Sequence, residues 1–355
     1  MTPSNFEKVR FVIAGTGAIA PIHAEAIRRL NHATLVAFYG SDQRRAGDLG
    51  RKFGVPVYED WEKLCQSEPF DAVDIVTQND RHATVGMAAV LKGKHLLVEK
   101  PITTTLESGQ QLIEACRSAG VRLGVVYQHR FDPDLQRVKQ WIGEGDFGEI
   151  FWASASLMSG RDSSYYQSHI GRSDPRLTGG GVLINQGIHM VDILHWLLGP
   201  VKAVSGYTEN RFHLLPFEDT AAALLRFGSG AVATCIVTTA SRVSQPSRIE
   251  IQGREGSAVL ENFKLKRAVR KGKPLRKWGD VWKRAATRSE RAGSHVDVLR
   301  DFVEALREGR PPCVDGDEAL QSLAVVSALY ASAKTGGTVS VNGRKAVRET
   351  EKVAR

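Results

Sequence analysis

Apolar and polar positions along this chain follow two rhythms. Over the first 130 residues, short apolar runs alternate with stretches in which apolar residues recur every three to four positions. The runs predict strands over Val9–Ala14, Thr34–Phe38, Ala72–Thr77, His95–Val98 and Val121–Tyr127. The intervening stretches predict helices near Ile19–Leu30, Arg44–Phe53, His82–Lys92 and Leu106–Ala119. Strict alternation of strand and helix is the pattern of βαβ units with right-handed crossovers, and hence of a parallel sheet.

The rhythm changes near residues 128–133. A helical stretch, Pro133–Gly143, is followed by strand patterns at Glu149–Ser156, Thr220–Phe227, Ala231–Thr239, Arg248–Gln252 and Ser257–Glu261. The last four follow one another across short turns such as Gly228-Ser229-Gly230 and Gly253-Arg254-Glu255-Gly256. Strands that succeed each other without helices predict an antiparallel sheet. The expected fold class is therefore α/β: a doubly wound parallel sheet over residues 1–130, then an α+β domain with a large, mainly antiparallel sheet over 131–355.

Composition agrees with two packed domains. Of 355 residues, 42% are hydrophobic and 25% charged, enough apolar surface for cores that need no disulfides or structural metals. Cys65, Cys116, Cys235 and Cys313 are scattered, with no CxxC pair or zinc spacing, and read as buried free thiols. No apolar run approaches membrane-spanning length, and the opening MTPSNFEKVR carries no signal-like segment, so a cytoplasmic enzyme is expected. The net charge of +9 is concentrated between Lys264 and Arg291, where twelve Lys/Arg face only Asp280 and Glu290. The rest of the chain is close to neutral. Trp278 and Trp282 lie in that segment, which would suit stacking on an anionic ligand; a solvated face or oligomer contact is the favoured reading, and no nucleic-acid partner is expected.

Candidate chemistry begins at the end of the first strand. Gly15-Thr16-Gly17-Ala18-Ile19-Ala20 is a G-x-G-x-x-A sequence opening a helix. The first glycine suits a sharp turn, the second a close approach of pyrophosphate, the small third residue close helix–strand packing. The helix N-terminus would present N–H groups to the phosphates. After the second strand the chain reads Gly40-Ser41-Asp42-Gln43-Arg44-Arg45, with Gly40 where an acid commonly holds the adenosine ribose of NAD. Ser41 with Arg44 or Arg45 would suit a 2′-phosphate, so NADP(H) is favoured. NAD(H) stays open if Asp42 turns in to the ribose.

Further segments bring a specific resemblance. Thr77-Gln78-Asn79-Asp80-Arg81-His82 is similar to a T-P-N-x-x-H turn with Gln78 in place of the proline, and Glu99-Lys100-Pro101 to an E-K-P motif. Arg130-Phe131-Asp132-Pro133 matches an R-[FY]-x-P junction. Gly179-Gly180-Gly181 through Asn185, His189 and Asp192 resembles a G-G-G-x-x-x-D-x-G-x-H-x-x-D signature. In this order, over essentially the whole chain, these segments resemble the Gfo/Idh/MocA oxidoreductases, a family that includes glucose–fructose oxidoreductase and inositol 2-dehydrogenase. The resemblance implies a Rossmann domain, with Thr77, Asn79, His82, Glu99 and Lys100 along the cofactor, and a substrate and oligomerisation domain after it. It also implies that Lys100 and His189 handle the proton of a sugar or cyclitol hydroxyl while hydride moves to or from nicotinamide. Asn185 stands where many members carry an acid. On a continuous helix it would face the same way as His189, and it can hydrogen-bond but not accept a proton.

Gln128, His129 and Arg130 lie where the chain leaves the nucleotide domain, at the strand ends where ligands of such folds bind. Arg161, Tyr165, Tyr166, His169 and Arg172 form a polar, aromatic stretch suited equally to substrate and to a dimer contact. The spacing of His189, Asp192 and His195 spreads them around a helix, so no metal is expected. Relatives' habits imply a homodimer or homotetramer. Two other function classes remain: a redox-neutral, NAD+-dependent glycosidase, which the resemblance also implies, and a non-catalytic nucleotide or sugar sensor.

Overall fold

In the computed structural model the described residues are 7–167, 172–213, 215–275 and 288–341, with only the backbone described for 288–294. The chain divides into two compact units: Met1–Phe131 with Ala285–Ala319, and Asp132–Arg284 with Leu320–Arg355.

The first unit is built on six parallel strands: β1 Val9–Ala14, β2 Ala33–Tyr39, β3 Val57–Tyr58, β4 Ala72–Ile75, β5 His95–Glu99 and β6 Leu123–Val126, in the order β3-β2-β1-β4-β5-β6. Helices α1 Ala20–Arg28, α2 Gln43–Phe53, α3 Trp61–Ser67, α4 His82–Leu91 and α5 Leu106–Ser118 connect them. Helices α2, α3 and α5 start where a short polar side chain answers a first-turn N–H group. Asp42 accepts from Arg45 N (3.0 Å), Asp60 from Lys63 N (2.9 Å) and Thr105 from Ser108 N (3.2 Å). Apart from Arg10 and Asp74, the residues of β1 and β4 are apolar, because both faces of a parallel sheet are covered. Asp74, fully buried in β4, breaks that rule.

The core of this unit includes a segment that the sequence assigned elsewhere. Val296, Leu299, Phe302, Val303 and Leu306 of the helix Arg288–Glu308 are buried with Phe11, Ile13 and Leu97. The Phe11 and Phe302 rings lie 6.2 Å apart. The domain reading of 131–355 as one body is therefore revised: 285–319 belongs with the first unit. An amphipathic helix announces that it covers a core, not which one.

The second unit holds helices α6 Pro133–Gly143, α7 Ser163–Gln167, α8 Pro175–Thr178 and α9 Ile188–Leu198 and a nine-stranded sheet. Its strands are β7 Ile150–Met158, β8 Val201–Glu209, β9 Thr220–Phe227, β10 Val232–Thr238, β11 Arg248–Gly253, β12 Ser257–Glu261, β13 Lys264–Arg270, β14 Lys273–Pro274 and β15 Val339–Ser340. The order is β14-β13-β12-β11-β7-β10-β9-β8-β15, antiparallel except for the parallel pair β7/β10. One face is buried through Ala153, Ala155, Leu225, Cys235, Val237 and Ile251. The other exposes apolar residues: Leu224 (58%), Val232 (45%), Ile236 (40%) and Tyr207 (70%).

Within the basic segment, Arg270 pairs with Asp146 and Glu144 and lies 4.8 Å over Trp141, so part of that charge serves packing. Trp278, Trp282 and His169 lie outside the described residues. Cys116 and Cys235 are buried as expected, whereas Cys313 is exposed. Among the described residues no helix is long and apolar enough to cross a membrane.

Candidate active site

The turn after β1 is shaped by two glycines with different duties. Gly15 has φ +119°, and a Cβ there would sit 2.6 Å from the carbonyl carbon and oxygen of Val76. Its N–H donates to Tyr39 O (2.8 Å), tying the turn to the end of β2. Only glycine satisfies both conditions. At Gly17 an added Cβ would meet nothing within 4 Å. Ala18 is exposed, and Ile19 caps α1 without a side-chain hydrogen bond, so no cap side chain answers the first-turn N–H groups. Open backbone at Gly17 beside an uncapped helix start fits a pyrophosphate.

The tip of β2 stands beside this turn. Gly40 donates to Tyr58 O (2.9 Å), and a Cβ at Gly40 would lie 2.8 Å from Thr16 Cγ2. Asp42 is engaged as the cap of α2, and its other oxygen lies 3.3 Å from Arg45 Nε. Ser41 and Arg44 are exposed next to it.

Beyond β4 the Thr77 hydroxyl donates to Gln78 O (3.2 Å), and Asn79 opens a 3-10 turn, Asn79–Arg81. His82 is fully buried, its ring nitrogens facing the carbonyls of Pro101 (2.8 Å) and Thr77 (3.3 Å). Burial holds its pKa below the ordinary value. His82 thus bolts the turn to the E-K-P segment, and its expected place along the cofactor is corrected to this internal one. Glu99 is partly buried and also bonded within the protein. Oε1 accepts from His23 (3.1 Å), and Oε2 accepts from the backbone N–H of Lys100 (3.1 Å).

His23 on α1 is completely buried and also bonds Asp74 through Nδ1 (2.8 Å). His295 approaches Glu99 to 3.8 Å. Burial disfavours the His23 imidazolium, but the charges and hydrogen bonds of Asp74 and Glu99 outweigh it and raise the pKa to about 10. For Glu99, burial would push the carboxyl up; the bond and charge of His23, with Lys100 and His295, hold it at about 2. With a proton on each ring nitrogen, His23 has no lone pair for a metal. Lys100 is partly exposed and joined to Pro101 by a cis peptide bond. Burial lowers its pKa, against the opposing pull of Glu99.

Gln128 opens a 3-10 turn after β6, and its Oε1 is buried without a hydrogen-bond partner among the described residues. Arg130, expected to touch substrate, is instead 1% exposed. It pairs with Glu318 (3.0 Å) and lies 6.0 Å over the Tyr127 ring. That is an internal strut.

In the second unit the glycine run packs against protein rather than holding space for a ligand. A Cβ at Gly181 would sit 2.0 Å from Glu218 O, and one at Gly180, 2.3 Å from the Tyr330 hydroxyl. Glu218 accepts from the N–H groups of Gly181 (3.0 Å) and Leu183 (3.0 Å) and from Tyr330 (2.7 Å). The chain then makes a π-helical turn, Leu183–Gly187, before α9. This wider turn replaces the continuous helix assumed for Asn185 and His189, so their expected common facing does not follow. Such turns recur at functional sites. The Asn185 amide donates to Gly180 O (3.0 Å) and Gly181 O (2.9 Å), closing the turn. His189 is half-buried near the start of α9, and Asp192 is buried, accepting from Ser322 (2.8 Å). Tyr166, expected at substrate, is buried with its hydroxyl bonded to Thr239 (2.8 Å). Arg161 and Arg172 lie over the Tyr165 ring, 4.5 and 4.4 Å from its centre.

Comparison with known proteins decides what these pieces belong to. Residues 9–127 match the model of the oxidoreductase family's NAD-binding Rossmann fold, and 139–341 that of its C-terminal alpha/beta domain. The chain belongs to the Gfo/Idh/MocA oxidoreductase family. The resemblance drawn from the motifs is borne out, as are the two-sheet fold class and the assignment to oxidoreductases. Among this family's members, the D-apiose dehydrogenase of Paraburkholderia graminis is 28% identical over 97% of this chain and 93% of its own. The scyllo-inositol 2-dehydrogenase (NAD(+)) of Bacillus subtilis is 28% identical over 96% and 98%. The WlbA dehydrogenase of Bordetella pertussis, solved with NADH and UDP-GlcNAcA, superposes with a TM-score of 0.86 at 29% identity, covering 96% of this chain and 99% of that one.

Sequence reasoning about this family member missed His23, Asp74, Glu218 and Tyr330. For Asp74 a signal existed: a lone acid inside the apolar run Ala72-Val73-Asp74-Ile75 must find a buried partner. The others carry no comparable mark.

Proposed function

We propose that the chain is an NADP(H)-preferring dehydrogenase or reductase that moves hydride to or from a ring secondary alcohol or ketone of a sugar, sugar derivative or cyclitol. The observation that carries the cofactor preference is the tip of β2. Gly40 places no carboxylate beside the dinucleotide turn, and Asp42 is held by the cap of α2. Ser41 and Arg44 remain exposed there to meet a 2′-phosphate, with Arg45 adjoining. The Bacillus subtilis relative is named for NAD(+) and WlbA was solved with NADH, so the preference for NADP(H) rests on this chain's own residues. The substrate class is supported by the apiose and inositol relatives, whose substrates are polyhydroxylated, and by the sugar nucleotide bound to WlbA.

A bound nicotinamide supplies the hydride acceptor or donor. The chain's part is the proton and the orientation of substrate. Burial makes the Lys100 amine easier to deprotonate than an ordinary lysine, so it can exchange a proton with the substrate oxygen nearer neutrality. His189 is assigned as its acid/base partner. Gln128 offers a buried acceptor for a hydroxyl, and Arg172 a guanidinium held by stacking on Tyr165. Asn185 keeps the turn before His189 closed. The Leu224, Val232 and Ile236 face is assigned to self-association.

Fluorescence titration with NADPH and, separately, NADH tests the preference. Tighter NADPH is expected; equal or tighter NADH would mean that Asp42 leaves its cap for the ribose. Keto-sugars can then be screened by loss of nicotinamide absorbance, which Lys100→Ala and His189→Ala should abolish. Glycoside turnover without any absorbance change would replace net oxidoreduction by the redox-neutral route.

A further inference from the structure

The buried group formed by His23, Asp74 and Glu99 is absorbed by none of the roles above. Two carboxylates face one imidazole inside a parallel sheet, with His23 and Asp74 at 0% exposure. Burying three ionisable groups is costly unless each one is paired and hydrogen-bonded, and the geometry supplies that pairing: 2.8 Å to Asp74 and 3.1 Å to Glu99. The three come from α1, β4 and β5, and α1 is the helix that the dinucleotide turn opens. The second Glu99 oxygen receives the Lys100 backbone N–H at 3.1 Å. The far end of the network is thus the Lys100 backbone.

We propose that His23 is a positioning residue for Lys100: its ring, bridging Asp74 and Glu99, holds the Glu99 carboxylate against the start of the Lys100–Pro101 segment and so sets the charge state of the Lys100 amine. The functional meaning rests on the reading of Lys100 given above. The groups facing Glu99 are His23 from α1, His295 from the helix Arg288–Glu308, Lys100 next in the chain and, beyond it, His82. The His23 ring stands 3.1 Å from the carboxylate, within hydrogen-bond distance, and His295 Nε2 lies 3.8 Å from the same oxygen. Without the charge of His23, the desolvation that pushes the Glu99 carboxyl up would be less opposed, and Glu99 would hold a proton to higher pH. Lys100 would then lose the anion that opposes its desolvation, and more of its amine would be neutral at a given pH.

The test is competitive acetylation of the full-length protein with trace acetic anhydride from about pH 6 to pH 10, read at Lys100 by peptide mass spectrometry against exposed Lys63 and Lys202. Glu99→Gln keeps shape and removes the charge. It should raise the labelling of Lys100 near neutrality by roughly threefold to tenfold, the worth of one unit charge at close range in a partly screened site. His23→Asn should raise it in the same direction, and Asp74→Asn by less. If His23→Asn does not fold, His23→Gln with Asp74→Asn removes the opposite charges together and is read the same way. Unchanged labelling in Glu99→Gln would overturn the link from Glu99 to Lys100. A rise in Glu99→Gln with none in His23→Asn would overturn the role of His23. Both readings hold whether or not Lys100 serves in turnover, which Lys100→Ala decides separately.

Discussion

Gly15 and Gly17 stand two residues apart in one motif, and the structure separates what each does. Gly15→Ala would force an L side chain to φ +119°, a strain of about 1–3 kcal/mol. It would also drive Cβ to 2.6 Å from Val76 C and O and 2.8 Å from Thr77 N. These are backbone atoms at the end of β4 and cannot rotate aside, so an overpacking cost of about 1–3 kcal/mol adds to the strain. The total, about 4 kcal/mol, is a large share of the stability of a domain and should lower its unfolding temperature by roughly 10 °C. Gly17→Ala meets nothing within 4 Å and should unfold within about 2 °C of wild type. Its methyl group would occupy the approach of the pyrophosphate. Losing even one hydrogen bond to a charged phosphate oxygen costs about 1.5–3 kcal/mol, so NADPH should bind at least about tenfold more weakly. Thermal unfolding by circular dichroism and NADPH fluorescence titration read the two effects independently. Wild-type affinity in Gly17→Ala would refute the assignment of the open backbone to the cofactor. A stable Gly15→Ala would refute the packing argument.

Gly40→Asp should weaken NADPH by about tenfold or more through repulsion of the 2′-phosphate, and leave NADH equal or tighter, as measured by the same titration. The Thr16 methyl near its Cβ belongs to a side chain that can turn. The buried charge cluster should shape stability against pH. His23, with a folded pKa of about 10, stabilises fully below its unfolded value of about 6.5 and loses that contribution as pH rises toward 10. Glu99, held at about 2, contributes fully above about 4.5 and loses it as pH falls toward 2. The stability gap between wild type and His23→Asn should therefore shrink from pH 7 to pH 10, by about 1.4 kcal/mol per unit; a constant gap in urea titrations would show that His23 is not charged. Leu224→Glu with Ile236→Glu should reduce the particle mass in light scattering to that of one chain, and a monomeric wild type would refute association through that face.

Where local chemistry dictates structure, the sequence was readable. Pro at the first helical position predicts Pro133–Gly143, and an apolar run interrupted only by Arg10 predicts Val9–Ala14, each within the bounds the structure shows. Strand β8, Val201–Glu209, was not readable: Gly206 and scattered polar residues break its alternation. The reason is tertiary, since a Cβ at Gly206 would come within 3.0 Å of Leu329. The return of the helix Arg288–Glu308 to the first unit was equally hidden, because its partner Phe11 is far away in sequence. At the site, residues whose backbone does the work (Gly15, Gly17, Gly40) could be found from spacing. Those whose side chains pair across elements (His23 with Asp74, Glu218 with Tyr330) could not.

The same division applies to the glycine run of the signature, which spacing locates and whose neighbour only the fold reveals. Glycines without side chains are needed wherever another group comes close, and the sequence cannot say whether that group is ligand or protein. Here it is Glu218, buried and with its pKa raised by desolvation against the bonds from Tyr330, Leu183 and Gly181. The carboxylate answers N–H groups at the start of the π turn that no Ser, Thr or Asp cap provides, and the Asn185 amide answers the carbonyls on the other side of the same turn. With both edges satisfied, the turn can hold the rare π geometry. An amide suits this double duty better than the acid more usual at that position: it donates to Gly180 O and Gly181 O, where a carboxylate would be repelled. The departure at Asn185 is then matched by the way the turn is held, and an amide there takes no part in the proton transfer proposed above.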